Sequence, residues 1–206
     1  MSERQDLTHV PNMRLMLIIG SVRPGRCGLP VTLWAYDMLM DCRGVDIDFV
    51  DLMETNLPFM NEPKPPKLKQ YEYAHTREWS ARVEDADAFI FVAPAYNEGF
   101  APALRNAMDY LALEWQSKPF GIVSYGQGAS EGGARLKESA RSLGLVPART
   151  TVAIRDSRSR VQDGEFFADD ELVRSCSRMI EDIRRLHAEL SPARSAGSRV
   201  AERVNG

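Results

Sequence analysis

The chain has 206 residues, 44% hydrophobic and 27% charged, a balance that predicts one cored domain and excludes disorder, collagen-like repeats and tandem modules. Lys and Arg total 26 against 29 Asp and Glu, so a net charge of -3 supplies no broad positive field for nucleic acid. The longest apolar runs, 15–19 and 88–93, fall far below the roughly 20 residues of a membrane span, and the polar start lacks a signal-peptide core, so no membrane association is expected.

Residues 15–19 (LMLII) are a short apolar run stopped by Gly20, which predicts a buried first strand. Val31, Trp34, Ala35, Met38, Leu39 and Cys42 then recur at helical spacing until Gly44. Val45 to Leu52 reads as strand two. Prolines 58, 63, 65 and 66 make residues 57–69 a long, stiff loop. A helix from about Tyr71 to Asp85 leads into strand three, Ala88 to Ala93. Leu104, Ala107, Met108, Leu111 and Trp115 keep helical spacing, and Phe120 to Tyr125 forms strand four. A helix through Leu136 and Leu143 ends at Gly144, Val146 to Ile154 reads as strand five, and Leu172 to Leu186 marks the last helix. Residues 1–190 are expected to form the domain and 191–206, rich in Ser, Arg and Gly, a disordered tail.

Five strands separated by helices, most of them continuous apolar runs, predict a parallel sheet covered on both faces: a doubly wound α/β protein. Ligands of such sheets sit beyond the carboxyl ends of the strands, which directs attention to the loops after strands one, three and four.

The first loop, GSVRPGRCG at 20–28, runs from a strand into a helix N-terminus, where free N–H groups and the helix dipole favour phosphate. Ser21 offers a hydroxyl, and Arg23 and Arg26 offer forked, charge-assisted donors. An ordinary Gly/Pro turn with solvated arginines is the competing reading. The segment nearly matches the triphosphate loop GxxxxGK[ST], but Arg26 replaces its lysine and Cys27 its magnesium-binding hydroxyl, which argues against a triphosphatase. The second loop, PAYNEGF at 94–100, has a ring and a carboxamide suited to a flat heteroaromatic ligand, or it is a turn around a core tyrosine. The third, SYGQG at 124–128 with Gly132 and Gly133, misses the dinucleotide-binding interval and reads better as backbone that lets a ligand come close.

Cys27, Cys42 and Cys176 are odd in number and without CxxC spacing, which predicts reduced thiols and a cytoplasmic location. Cys27 sits in a cationic turn, where an inert thiol is weighed against a nucleophile. His9, His75 and His187 do not cluster, and no GxSxG elbow occurs, so neither a metal site nor a Ser-His-Asp enzyme has support.

At these three loops the chain resembles the NADPH-dependent FMN reductase family of flavodoxin-like proteins, from about Arg14 to Ile154. The resemblance rests on GSVRPGRCG at 20–28, LPFMNEP at 57–63, PAYNEGFAPALRNAMDY at 94–110 and KPFGIVSYGQGASEGGAR at 118–135. It implies that Ser21, Arg23, Arg26 and the amides towards Gly28 hold the FMN phosphate. It further implies that Pro94, Ala95, Tyr96 and Asn97 line the isoalloxazine and that Ser124, Tyr125 and Gly126 support its other edge. Strand order 2-1-3-4-5, a homodimer, NADPH or NADH as donor and a small-molecule electron acceptor such as a flavin or quinone follow from the same resemblance. The cofactor supplies the hard chemistry, so no acid–base side chain is assigned. Two departures stand out: Ala95 where the family often has Glu, and Glu98 where a smaller or neutral residue is common. Two alternatives are a flavodoxin-like electron carrier or flavin-binding module without NAD(P)H turnover, and a nucleotide-binding α/β protein unrelated to flavin.

Overall fold

A computed structural model describes residues 12–97 and 99–204, with side chains described through residue 191. The central strands are β1 (Met13–Ile19), β2 (Val45–Asp51), β3 (Ala88–Tyr96) and β5 (Pro119–Tyr125). They run parallel in the order β2-β1-β3-β5, continued by β6 (Val146–Pro147) and β7 (Val152–Ile154), both paired with β5. A two-residue strand β4 (Gly99–Phe100) folds back antiparallel on the end of β3. With β4 set aside and the short pieces β6 and β7 counted together as one broken fifth strand, this is the doubly wound order 2-1-3-4-5 of flavodoxin-like sheets.

Strand alternation divides the core in two. Met16, Ile18, Phe89, Phe91 and Ile122 face helices α3 (Ala74–Asp85), α4 (Pro102–Asp109) and α5 (Ala129–Ser142); Leu15, Leu17, Ile90, Val92 and Val123 face α1 (Gly28–Met40) and α6 (Asp170–Val204). Both faces are therefore dry, which is why the strands read as unbroken apolar runs. On the first face Trp79 and Trp115 pack edge-on, and their indole N–H groups donate to Ala107 O and Met108 O at 2.9 and 3.1 Å.

Four features differ from the sequence expectations. Strand five is two pieces, because Pro147 has no N–H to continue a ladder and residues 149–151 leave the sheet before β7 returns to it. Helix α4 stops at Asp109, so Trp115 fills the core from the segment that follows. A small hairpin, β8 (Val161–Gln162) and β9 (Glu165–Phe166), follows β7 and sets Phe166 against Trp34 of α1, with ring centroids 5.3 Å apart. Helix α6 continues past Leu190 to Val204, where composition predicts a tail; Ala, Arg and Glu in that stretch are good helix formers.

The proline-rich loop is held by polar hooks. Asn106 Nδ2 donates to Pro58 O at 2.7 Å and its Oδ1 accepts from Met60 N–H at 2.9 Å, while Tyr110 Oη lies 3.0 Å from Asn61 Oδ1. The buried Glu114 carboxylate accepts from Tyr71 at 2.8 Å and Ser80 at 2.7 Å, fixing the loop's far end. A four-residue helix, α2 (Leu52–Thr55), and a 3-10 turn, Pro66–Leu68, flank the stretch.

Candidate functional site

The carboxyl ends of β1, β3, β5 and β7 open onto one cleft of about 340 Å³. Its first wall is the loop 20–28. Gly20 N–H donates to Val92 O at 2.9 Å, tying the start of that loop to β3. Helix α1 begins at Gly28 behind Cys27, whose side chain makes no capping bond, and its first-turn N–H groups have no side-chain acceptor among the described residues. Beside them lies Tyr125 Oη, buried, close to the Ser21 hydroxyl but without a hydrogen bond of normal geometry among the described residues. A Cβ on residue 28 would stand 2.5 Å from that oxygen, so Gly28 is what lets the phenol reach the helix end. Burial pushes the Tyr125 pKa up and outweighs the lowering influence of the neighbouring Ser21, which keeps the proton on and makes the group a donor.

Ser21, Arg23, Arg26 and Cys27 line the same wall. Ser21 is buried; its Oγ accepts from Arg23 N–H and lies near Tyr96 Oη, each at 3.4 Å. The guanidinium of Arg23 makes no ion pair or hydrogen bond among the described residues. Arg26 differs. Its Nη1 donates to Asp51 Oδ1 at 2.9 Å and to Ser21 O at 2.5 Å, and Nη2 bonds to Asp51 Oδ2. It braces the loop from within instead of offering a free fork.

The second and third walls are the ends of β3 and β5. Pro94, Ala95, Tyr96, Tyr125, Gly126 and Gln127 line the cleft. Asn97 has φ 45° and Gly126 φ 104°, left-handed turns that end their strands. Asn97 and Ser124 are not on the cleft surface, and the Ser124 hydroxyl is engaged with Ala129 O. The Ala95 methyl lies 2.8 Å from where a Cβ on Gly132 would fall, so α5 packs directly on this turn and the small residue at 95 has a packing partner. Glu98 lies outside the described residues.

A fourth wall was not anticipated: Arg155, Asp156, Ser157, Arg158 and Ser159, the segment leaving β7. The rule that ligands sit beyond strand ends applies to the fifth strand as to the others, and the run RDSRSR at 155–160 carried the signal.

The sequence pattern of the NADPH-dependent FMN reductases matches residues 13–157, a span that takes in all four walls up to Ser157. The chain belongs to that family. It is 41% identical over 133 residues to an NAD(P)H-dependent FMN reductase of Nectria sp, a match covering 61% of this chain and 66% of that protein. It is 28% identical over 145 residues to an NAD(P)H:quinone oxidoreductase of Solanum tuberosum, covering 66% of this chain and 69% of the relative. The chain thus spans about two thirds of the length of each. Among solved structures, FerB, a flavoenzyme NAD(P)H:(acceptor) oxidoreductase from Paracoccus denitrificans, shares the fold with a TM-score of 0.69 at 18% identity, over 86% of this chain and 98% of that one.

This FMN reductase is accordingly an oxidoreductase with FMN as cofactor and NAD(P)H as electron donor. The donor set fits a flavin mononucleotide. Arg23 and Tyr125 line the cleft, the uncapped first turn of α1 lies beside the Tyr125 hydroxyl, and this set suits a phosphate, while Pro94, Ala95 and Tyr96 give the cleft an apolar and aromatic surface. Ser21, with two polar neighbours already at 3.4 Å, shapes the turn and offers its hydroxyl to the same space.

Proposed function

We propose that this protein passes electrons from NADPH or NADH through FMN to a small diffusible acceptor, a flavin or a quinone. The observation that carries this reading is the buried, partnerless Tyr125 hydroxyl beside the uncapped α1 N-terminus. A buried donor left unpaired costs about 1 to 3 kcal/mol, so its retention at the mouth of a cleft fits a ligand that accepts from it. Bound FMN supplies the redox chemistry. The chain's own part is to grip and orient: Arg23 and the α1 amides hold the phosphate, Tyr125 donates beside them, and the turns after β3 and β5 carry the ring and leave one face to donor and acceptor in succession. The quinone-reductase name of the potato relative supports a quinone acceptor. The test is the visible spectrum of the freshly purified protein, an FMN titration, and NADPH consumption with a naphthoquinone. A flavin spectrum with quinone-dependent turnover is expected. Flavin binding without turnover would leave a carrier, and no flavin binding would remove the reading.

Two further parts of the proposal concern setting. A groove of about 850 Å³ beside the cleft is lined by Val22, Leu52, Met53, Leu57 and Phe59, of which Phe59 is 87% exposed. An apolar groove of that kind, rimmed by Glu54 and Asn106, suits a second copy of the chain, and a homodimer is the assembly expected in sedimentation at micromolar concentration. Three free cysteines fit a reducing compartment, the cytoplasm, and no helix among the described residues is long and apolar enough to cross a membrane.

A further inference from the structure

The segment after β7 carries more cationic chemistry than its place in the fold requires. Neighbouring arginines of this region are neutralised internally: Arg160 pairs with Asp169 at 2.7 Å, and Arg26 with Asp51. Arg155 and Arg158 have no ion pair or side-chain hydrogen bond among the described residues, and both line the cleft. Between them sits Ser157, only 4% exposed, whose hydroxyl also has no hydrogen-bond partner among the described residues while the residue lines the same space. A serine hydroxyl that reaches the cleft between two free forks is a donor set without an acceptor among the described residues.

Charge narrows the acceptor. Asp156 lines the cleft as well and offsets one arginine, so with Arg23 the free groups leave a surplus of two positive charges. A phosphate monoester carries roughly -1.5 to -2 at neutral pH and takes forked guanidinium donors two at a time. A carboxylate would leave half of that surplus unmatched. We infer that Arg155, Ser157 and Arg158 form a second phosphate-binding element, which takes a phosphate monoester from the side of the cleft away from the 20–28 sequence motif. The inference rests on the flavin reading above. Under that reading two monoesters reach the cleft: the 5'-phosphate of FMN, and the 2'-phosphate that distinguishes NADPH from NADH.

The experiment compares the unaltered protein with R155Q/R158Q and, separately, S157A. Both arginines are exposed and unpaired, so the charge change leaves the core untouched, and an unshifted Tm verifies this. FMN and riboflavin affinities are measured by flavin fluorescence, and KM is measured with NADPH and with NADH. If the element holds the flavin phosphate, R155Q/R158Q weakens FMN about fivefold or more and leaves riboflavin unchanged; if it holds the 2'-phosphate, KM rises by a similar factor for NADPH alone. S157A shifts the same ligand in the same direction. Unchanged FMN affinity together with unchanged NADPH and NADH constants would overturn the inference while the flavin reading stands. An unaltered protein that binds neither flavin overturns both.

Discussion

Arg26 and Asp51, 25 positions apart, form a two-point ion pair in which the side chains are only 10% and 7% exposed. The pair joins the 20–28 loop to the end of β2, where Asp51 Oδ1 also caps α2 by accepting from Met53 N–H at 2.9 Å. Asp51→Ala strands a buried guanidinium, and a loss of about 3 to 5 kcal/mol in urea unfolding is expected. Asp51→Ala within 1 kcal/mol of the parent protein (about a surface pair's worth) would show the bond to be of little consequence.

Arg23 has the opposite character: it is exposed, with no ion pair or side-chain hydrogen bond among the described residues. Arg23→Ala should weaken FMN by about 1.5 to 3 kcal/mol, the scale of a hydrogen bond to a charged group, with unfolding free energy unchanged. The paired measurements on Arg23 and Arg26 would separate an arginine that acts on ligand from one that braces the loop. Equal FMN affinity for Arg23→Ala and the parent would remove Arg23 from the phosphate site.

Tyr125→Phe deletes a buried hydroxyl that makes no hydrogen bond of normal geometry among the described residues. The apoprotein should hold or gain stability, by up to about 1 kcal/mol, while FMN affinity drops by a similar amount. Thermal melts with and without FMN measure both. A destabilised apoprotein would mean that the hydroxyl has a protein partner.

Acid sensitivity should involve Asp182 on α6. Burial raises its carboxyl, but bonds from Thr150 N–H at 3.1 Å and Oγ1 at 3.3 Å and from Arg185 outweigh that and hold it below its ordinary 3.8. The ionised form is favoured in the folded state. Its stabilising contribution is therefore present above pH 3.8 and is lost as pH falls through the lower folded value. Asp182→Asn should flatten the stability profile below about pH 4 and cost stability at pH 7. Parallel profiles for the two proteins would contradict this.

The sheet was legible in the sequence because Leu15–Ile19, Ala88–Ala93 and Phe120–Tyr125 are buried on both faces, and a run with no polar side is what such burial leaves in a sequence. Two cleft walls were legible because glycine and positive-φ turns close those strands. Arg26 reads in the sequence as a free donor, and nothing local announces that Asp51 stands beside it; that pairing is made by β1 and β2 lying in register. The 155–159 wall is not marked in the sequence, because Pro147 breaks the fifth strand and no glycine-rich turn follows Ile154 to single out the loop beyond it. Ser124 reads as a site residue by position, but helix α5 begins close enough for Ala129 O to claim its hydroxyl.

The hooks on the proline-rich loop have a thermodynamic consequence. Asn106 and Tyr110 fix residues 58–61 in the isolated chain, with the Phe59 ring standing out into solvent. Any surface that settles on that ring meets a pre-shaped knob, so the ordering entropy that a floppy loop would lose on contact has already been lost during folding, and association there begins from a smaller deficit.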